Sequence, residues 1–184
     1  MTPLLKGDGL TLVRGGRLLF ERLDLMLEPG GALHVTGPNG SGKTSLIRLV
    51  AGLLQPSAGR IERADAALAD DGLAFDRELP LGRALAFWKG PDLGKAIAAF
   101  HLDALTHVPV RLLSTGQAKR ASLARVMASG APLWLLDEPL NGLDQDGAKR
   151  LNAAISAHRD AGGVVLAASH LPLDGNWHGL ELGA

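Results

Sequence analysis

The apolar positions of this chain fall into short runs. Leu133–Leu136 and Val164–Ala168 are apolar throughout, the pattern of strands covered on both faces. Ala32–Thr36 is a third short apolar strand, entered from the turn Pro29-Gly30-Gly31. Leu10–Val13 and Leu18–Leu27 are further strand candidates, the second alternating in part, with Leu23, Leu25 and Leu27 set against Asp24. Helical spacing begins after a Gly-rich loop. Leu46, Val50, Leu53 and Leu54 fall at i, i+4, i+7 and i+8, with Gly52 near the end of that helix and Pro56 beyond it.

From about residue 60 the pattern weakens. Arg60–Glu62 reads as a short strand, and helical stretches follow at Leu81–Lys89 and Asp92–Leu102. A third helix starts near Gly116, with Leu123 and Met127 on one stripe and Ala121, Ala124 and Ala128 beside it. Gly147–Arg159 is helical again, with Leu151, Ile155 and His158 on one face. Strand, loop and helix, then a helical insert, then strand, helix and strand predict an α/β fold with a mainly parallel sheet and flanking helices. The 184 residues suit one domain, 1–184, with the insert at approximately 79–128.

Composition narrows the chemistry. Hydrophobic residues make up 46% and charged residues 21%, which excludes a disordered chain. Nineteen basic residues balance nineteen acidic ones, so no charge excess calls for nucleic acid as a partner. The absence of cysteine excludes disulfides, thiolate-held metal and a thiol nucleophile. The opening MTPLLKGDG carries no secretory signal, and no stretch approaches the ~18 apolar residues of a membrane span. A membrane role is therefore expected to come through a partner.

The strongest motif is GPNGSGKTS, running from Gly37 through Pro38, Asn39, Gly40, Ser41, Gly42, Lys43 and Thr44 to Ser45. It matches GxxxxGK(S/T) between a strand and an amphipathic helix. Gly37, Gly40 and Gly42 permit backbone angles that turn several N–H groups into one concavity, and the helix adds its positive end. Lys43 supplies a point charge for the outer phosphates, and Thr44 a hydroxyl for Mg2+. The bland alternative is a Gly-rich turn. A second signal is Leu135-Leu136-Asp137-Glu138-Pro139, a buried strand ending in two carboxylates. Asp137 is the candidate magnesium ligand, and Glu138 the group that orients or deprotonates the attacking water. A third, Leu113-Ser114-Thr115-Gly116-Gln117, precedes a helix carrying Lys119, Arg120 and Arg125. Alone it reads as an N-cap with a solvated basic face.

Taken together and in this order, the motifs resemble the nucleotide-binding domain of ABC-type ATPases. GPNGSGKTS looks like that family's Walker A, LSTGQ like its signature, LWLLDEP like its Walker B, Asn141-Gly142-Leu143-Asp144 like its D-loop and His170 like its switch histidine. The resemblance implies a P-loop NTPase fold with an N-terminal antiparallel β subdomain. It implies ATP with Mg2+ as the ligand and His170 as a contact to the γ-phosphate. It also implies a homodimer in which Ser114, Gly116 and Gln117 close over the partner copy's nucleotide.

Two departures stand out. Thr115 occupies a position where Gly is commonest, and no glutamine lies at Asp70–Glu78, where the family's Q-loop belongs; Gln55, Gln117 and Gln145 are the only ones. Asp70 or Asp71 is either a metal-side substitute or a solvated turn. At the adenine-stacking position there is no aromatic, and Arg14 stands near it. The missing glutamine leaves open a second reading, a regulatory or assembly subunit that hydrolyses ATP poorly.

Within the family, Val13–Phe20 (VRGGRLLF) and the Walker A stretch are similar to the ATP-binding subunits of the haem exporters of bacterial cytochrome c maturation. That likeness implies integral membrane transporter subunits as partners and a peripheral place on the cytoplasmic face of the inner membrane. Leu79–Trp88 is similar in spacing to those subunits' coupling region. Phe87, Trp88 and Phe100 are core candidates by default, with Phe87 or Trp88 alternatively lining a groove for a membrane subunit. The six histidines are scattered and make no axial-ligand constellation, so haem is not expected on this chain.

Overall fold

The computed structural model describes residues 2–70, 72, 74–88 and 90–183. Three strands, β1 (Leu5–Arg14), β2 (Arg17–Leu27) and β4 (Ala58–Arg63), form an antiparallel sheet in the order β2-β1-β4. Five others form a parallel sheet: β3 (Ala32–Thr36), β5 (Ala66–Ala69), β6 (Leu133–Asp137), β7 (Val164–Ala168) and β8 (His178–Glu181), in the order β5-β6-β7-β3-β8. Helices α1 (Lys43–Val50), α2 (Leu81–Ala86), α3 (Leu93–Ala99), α4 (Thr115–Ala128) and α5 (Gln145–Asp160) complete the chain.

The parallel sheet separates two cores. Leu133 and Leu135 of β6, with Val164 and Leu166 of β7, pack toward α1 and the antiparallel sheet. Trp134, Leu136, Val165 and Ala167 point the other way, into a core shared with α2, α3, α4 and α5. Both faces are covered, so these strands show no polar alternation, as their sequence predicted. Because the strands are parallel, the carboxyl ends of β6, β7 and β3 lie side by side on one edge. Ligands bind at such an edge in open α/β sheets.

Several boundaries differ from expectation. The first helix stops at Val50. Gly52 takes φ 80°, its N–H donates to Leu49 O, and Leu53 N–H donates to Arg48 O. This is a Schellman closure, and it throws Leu53 outward, 63% exposed, off the apolar stripe that its spacing predicts. The helix expected over Leu81–Lys89 ends at Ala86, and its expected end at Lys89 lies outside the described residues. Gly90 then passes so close to Ala128 O that a side chain there has no room. Phe100 is buried, but Phe87 (75% exposed) and Trp88 (42% exposed) are not core residues. β5 and β8 had no counterpart in the pattern.

Candidate functional site

The carboxyl end of β3 opens into the phosphate loop. Gly37 takes φ 136°, and a Cβ there would stand 2.2 Å from Leu182 O, so only glycine fits. Gly42, at φ 108°, is the N-cap of α1; no side chain caps the helix and no acid stands in its first turn. Its opening N–H groups are therefore available to an anion. Lys43 is buried and folds back over the loop, donating to Gly37 O at 2.7 Å and Pro38 O at 3.1 Å.

Two further strand ends face this loop. Asp137 closes β6 and is buried, and Glu138 follows it. Glu138 takes φ 45°, unusual for a residue with a side chain. That backbone lets its N–H donate to Ala168 O at 2.8 Å while its carboxylate turns to the neighbouring loop. There Oε2 accepts from His170 N–H at 3.4 Å, and Oε1 lies 3.5 Å from His170 Nε2.

The loop, Glu138 and His170 share one groove of about 380 Å3, and Asp137 is not among the residues that line it. It is lined by Asn39, Gly40, Gly42, Lys43, Thr44, Glu138 and His170, together with Arg14 and Leu19. Arg14 is held there by a 3.5 Å bond from Nη1 to Ser45 Oγ. Other predicted site residues sit behind the wall. The carbonyls of Gly37 and Pro38 accept from Lys43, and Ser41 is buried with its Oγ unpartnered among the described residues.

The signature residues are elsewhere. Ser114 N-caps α4: its Oγ accepts from Gln117 N–H at 3.3 Å, and Gln117 Oε1 accepts from Ser114 N–H at 2.9 Å. A Cβ on Gly116 would approach Gly142 O to 2.9 Å, so the signature turn packs on its own D-loop segment. Ser114 is exposed, and neither Ser114, Gly116 nor Gln117 lines the groove of Glu138 and His170.

The basic residues of α4 correct the sequence reading. The solvated face that the motif suggests on its own is not what forms: all three reach backbone carbonyls. Buried Lys119 donates to Asp137 O at 3.3 Å, Arg120 to Phe100 O at 3.1 Å, and Arg125 to Leu68 O. Burial lowers the Arg125 pKa, and its guanidinium lies 4.7 Å from the Trp88 ring centre. Asp70 accepts from Gly72 N–H at 3.0 Å and lies 3.9 Å from Arg48, away from the groove. It behaves as a turn residue; Asp71 lies outside the described residues. Sequence reasoning missed Lys119 as a brace on the Asp137 backbone and His34, whose Nε2 lies 3.0 Å from Ser169 O. For His34 the signal was present: a polar residue in the middle of an apolar strand.

Comparison with known proteins agrees with this arrangement. Residues 20–141 match the family model of the ABC transporter. The chain is 55% identical over 180 residues to the cytochrome c biogenesis ATP-binding export protein CcmA of Sphingopyxis alaskensis, covering 94% of this chain and 93% of that one. It is 58% identical over 162 residues to the protein of the same name from Novosphingobium aromaticivorans, covering 87% and 85%. A solved structure of the ATP-binding subunit of an ABC transporter superposes with a TM-score of 0.80 over 91% of this chain and 80% of its own, at 21% identity, which shows the shared fold. The chain belongs to the ABC transporter ATP-binding family and, within it, to the cytochrome c biogenesis ATP-binding export proteins.

Proposed function

We propose that this chain binds and hydrolyses ATP as the motor subunit of a membrane exporter in cytochrome c biogenesis, one that serves haem. The observation that carries this reading is the convergence of the phosphate loop, Glu138 and His170 on one groove. Lys43 leaves the carbonyls of Gly37 and Pro38 for the outer phosphates, which accept from a cation more strongly than neutral carbonyls do. The first N–H groups of α1 hold the β-phosphate side. Glu138 orients the attacking water and takes its proton, and His170 contacts the γ-phosphate from the neighbouring loop.

The donor set fits Mg2+. Thr44 offers a hydroxyl at the groove wall and Asp137 a buried carboxylate at the adjacent strand end, both hard oxygens of the kind this ion takes. When bound, Mg2+ would offset the charge of the outer phosphates. Among the described residues no cluster of three or more His, Asp or Glu side chains competes for a metal.

The active unit is a homodimer in this reading. One copy leaves the outer side of its groove open, while Ser114, Gly116 and Gln117 stand unused by it. Across a two-fold axis they close the partner's groove, with a cap hydroxyl and the N-terminus of α4 on the γ-phosphate. Opening and closing of that dimer drives integral membrane subunits. Phe87 and Trp88, exposed beside Arg125, are the surface offered to them. No helix among the described residues is long and apolar enough to cross a membrane, which fits a peripheral subunit at the cytoplasmic face of the inner membrane. The test is steady-state ATPase of the chain assembled with its membrane partners. Activity well above a Lys43→Ala control is expected; activity equal to that control would favour a non-hydrolysing assembly subunit.

A further inference from the structure

His34 stands in the middle of β3, between the buried aliphatics Leu33 and Val35. Its ring is half-buried, and Nε2 lies 3.0 Å from the carbonyl oxygen of Ser169. A carbonyl only accepts, so Nε2 carries a hydrogen and donates. Ser169 is wholly buried and immediately precedes His170. Its other groups are engaged as well: its N–H donates to Val35 O at 3.2 Å, and its Oγ accepts from Leu171 N–H at 3.0 Å. Trp177 stands edge-on to the His34 ring at 6.1 Å and is itself held by a bond from Nε1 to Asp174 O at 2.9 Å.

The consequence falls on the next residue. The His170 side chain is half exposed; its Nε2 lies 3.5 Å from Glu138 Oε1, and the His170 backbone N–H donates to Glu138 Oε2 at 3.4 Å. Those distances are long for hydrogen bonds. The pose of His170 is therefore set mainly by the backbone it stands on, and one peptide unit of that backbone is clamped by His34. We propose that His34 is a positioning residue for ATP hydrolysis: by holding the Ser169 carbonyl, it fixes His170 over the phosphate groove. This rests on His170 facing the terminal phosphate, as proposed above. His34 touches no substrate; it acts through the loop.

The test is steady-state ATPase of the chain assembled with its membrane partners, in His34→Leu, His34→Asn and His34→Gln, each with and without His170→Ala. Leucine cannot donate, and asparagine is too short to reach. Both lose roughly five- to tenfold in kcat, the effect of one net hydrogen bond, with the KM for ATP unchanged. Glutamine places an amide N–H near the original Nε2 and restores the rate. In the His170→Ala background the leucine and asparagine variants have no further effect. An equal fractional loss with and without His170, a raised KM at unchanged kcat, or no recovery with glutamine would each overturn the proposal. Should His34→Leu not fold, His34→Asn carries the same comparison. Wild-type ATPase no greater than that of Lys43→Ala would bring down the hydrolytic reading and this inference with it; the other failures bring down His34 alone.

Discussion

Replacing Glu138 with glutamine separates nucleotide binding from hydrolysis. The backbone of Glu138 sits at φ 45° with its N–H on Ala168 O, and the substitution leaves both unchanged. Glutamine keeps an oxygen that accepts from His170 N–H, so fold stability changes by no more than ~0.5 kcal/mol. What is lost is the base proposed for the attacking water. General-base catalysis contributes about 10²–10⁴ in rate, or ~3–5 kcal/mol of barrier. In the proposed dimer, ATP is then expected to stay intact long after two copies have closed on it. In light scattering the Glu138→Gln protein, at 19.2 kDa, shifts toward twice that mass when ATP and Mg2+ are added, and returns with ADP. Adding Lys43→Ala abolishes the shift. A particle that stays at 19.2 kDa under saturating ATP would refute the shared pocket. A kcat within about tenfold of wild type would refute the role given to the carboxylate.

Three further outcomes are expected. Gly37→Ala forces a side chain onto φ 136° and to within 2.2 Å of Leu182 O, so chemical denaturation shows a loss of ~2 kcal/mol or more and nucleotide binding fails. Ser114→Ala removes the acceptor of Gln117 N–H and costs ~1 kcal/mol by thermal melting; ATPase falls further, by roughly tenfold or more, if the hydroxyl also serves the partner's phosphate, and unchanged ATPase would reduce Ser114 to a cap. His158 is stacked on Trp134 at 4.0 Å, and burial pushes its pKa below the ordinary 6.5. The unfolded chain therefore takes up that proton more readily than the folded one. The stability this group contributes is fully present above about pH 6.5 and is lost as pH falls toward the folded-state pKa; melting curves at descending pH show the loss, and His158→Gln flattens it.

The central strands were legible because burial on both faces leaves an unbroken apolar run, and the phosphate loop because its glycines and lysine sit at fixed offsets. β5 and β8 were not. Ala-Ala-Leu-Ala has the composition of a helix and becomes a strand only by pairing with β6, while His-Gly-Leu-Glu is an exposed edge strand with no apolar face to show. Leu53 was misplaced because periodicity continued past the glycine that ended the helix. The inward bonds of Lys119, Arg120 and Arg125 could not be read from helical spacing, since long basic side chains can lie along apolar surface and reach distant carbonyls. The approach of Gly116 to Gly142 likewise depends on packing between segments far apart in sequence.

The carbonyl of Leu182 occupies the space beneath Gly37, and Gly183 lies against Ser41. The nucleotide cradle thus has a floor laid by a segment translated well over a hundred residues later. During synthesis the glycine loop emerges early, yet its final shape waits for β8 to join the sheet beside β3. A nascent chain lacking β8 holds the full phosphate motif without the surface that props it. Competence to grip a triphosphate therefore follows the synthesis of β8 rather than that of the loop itself.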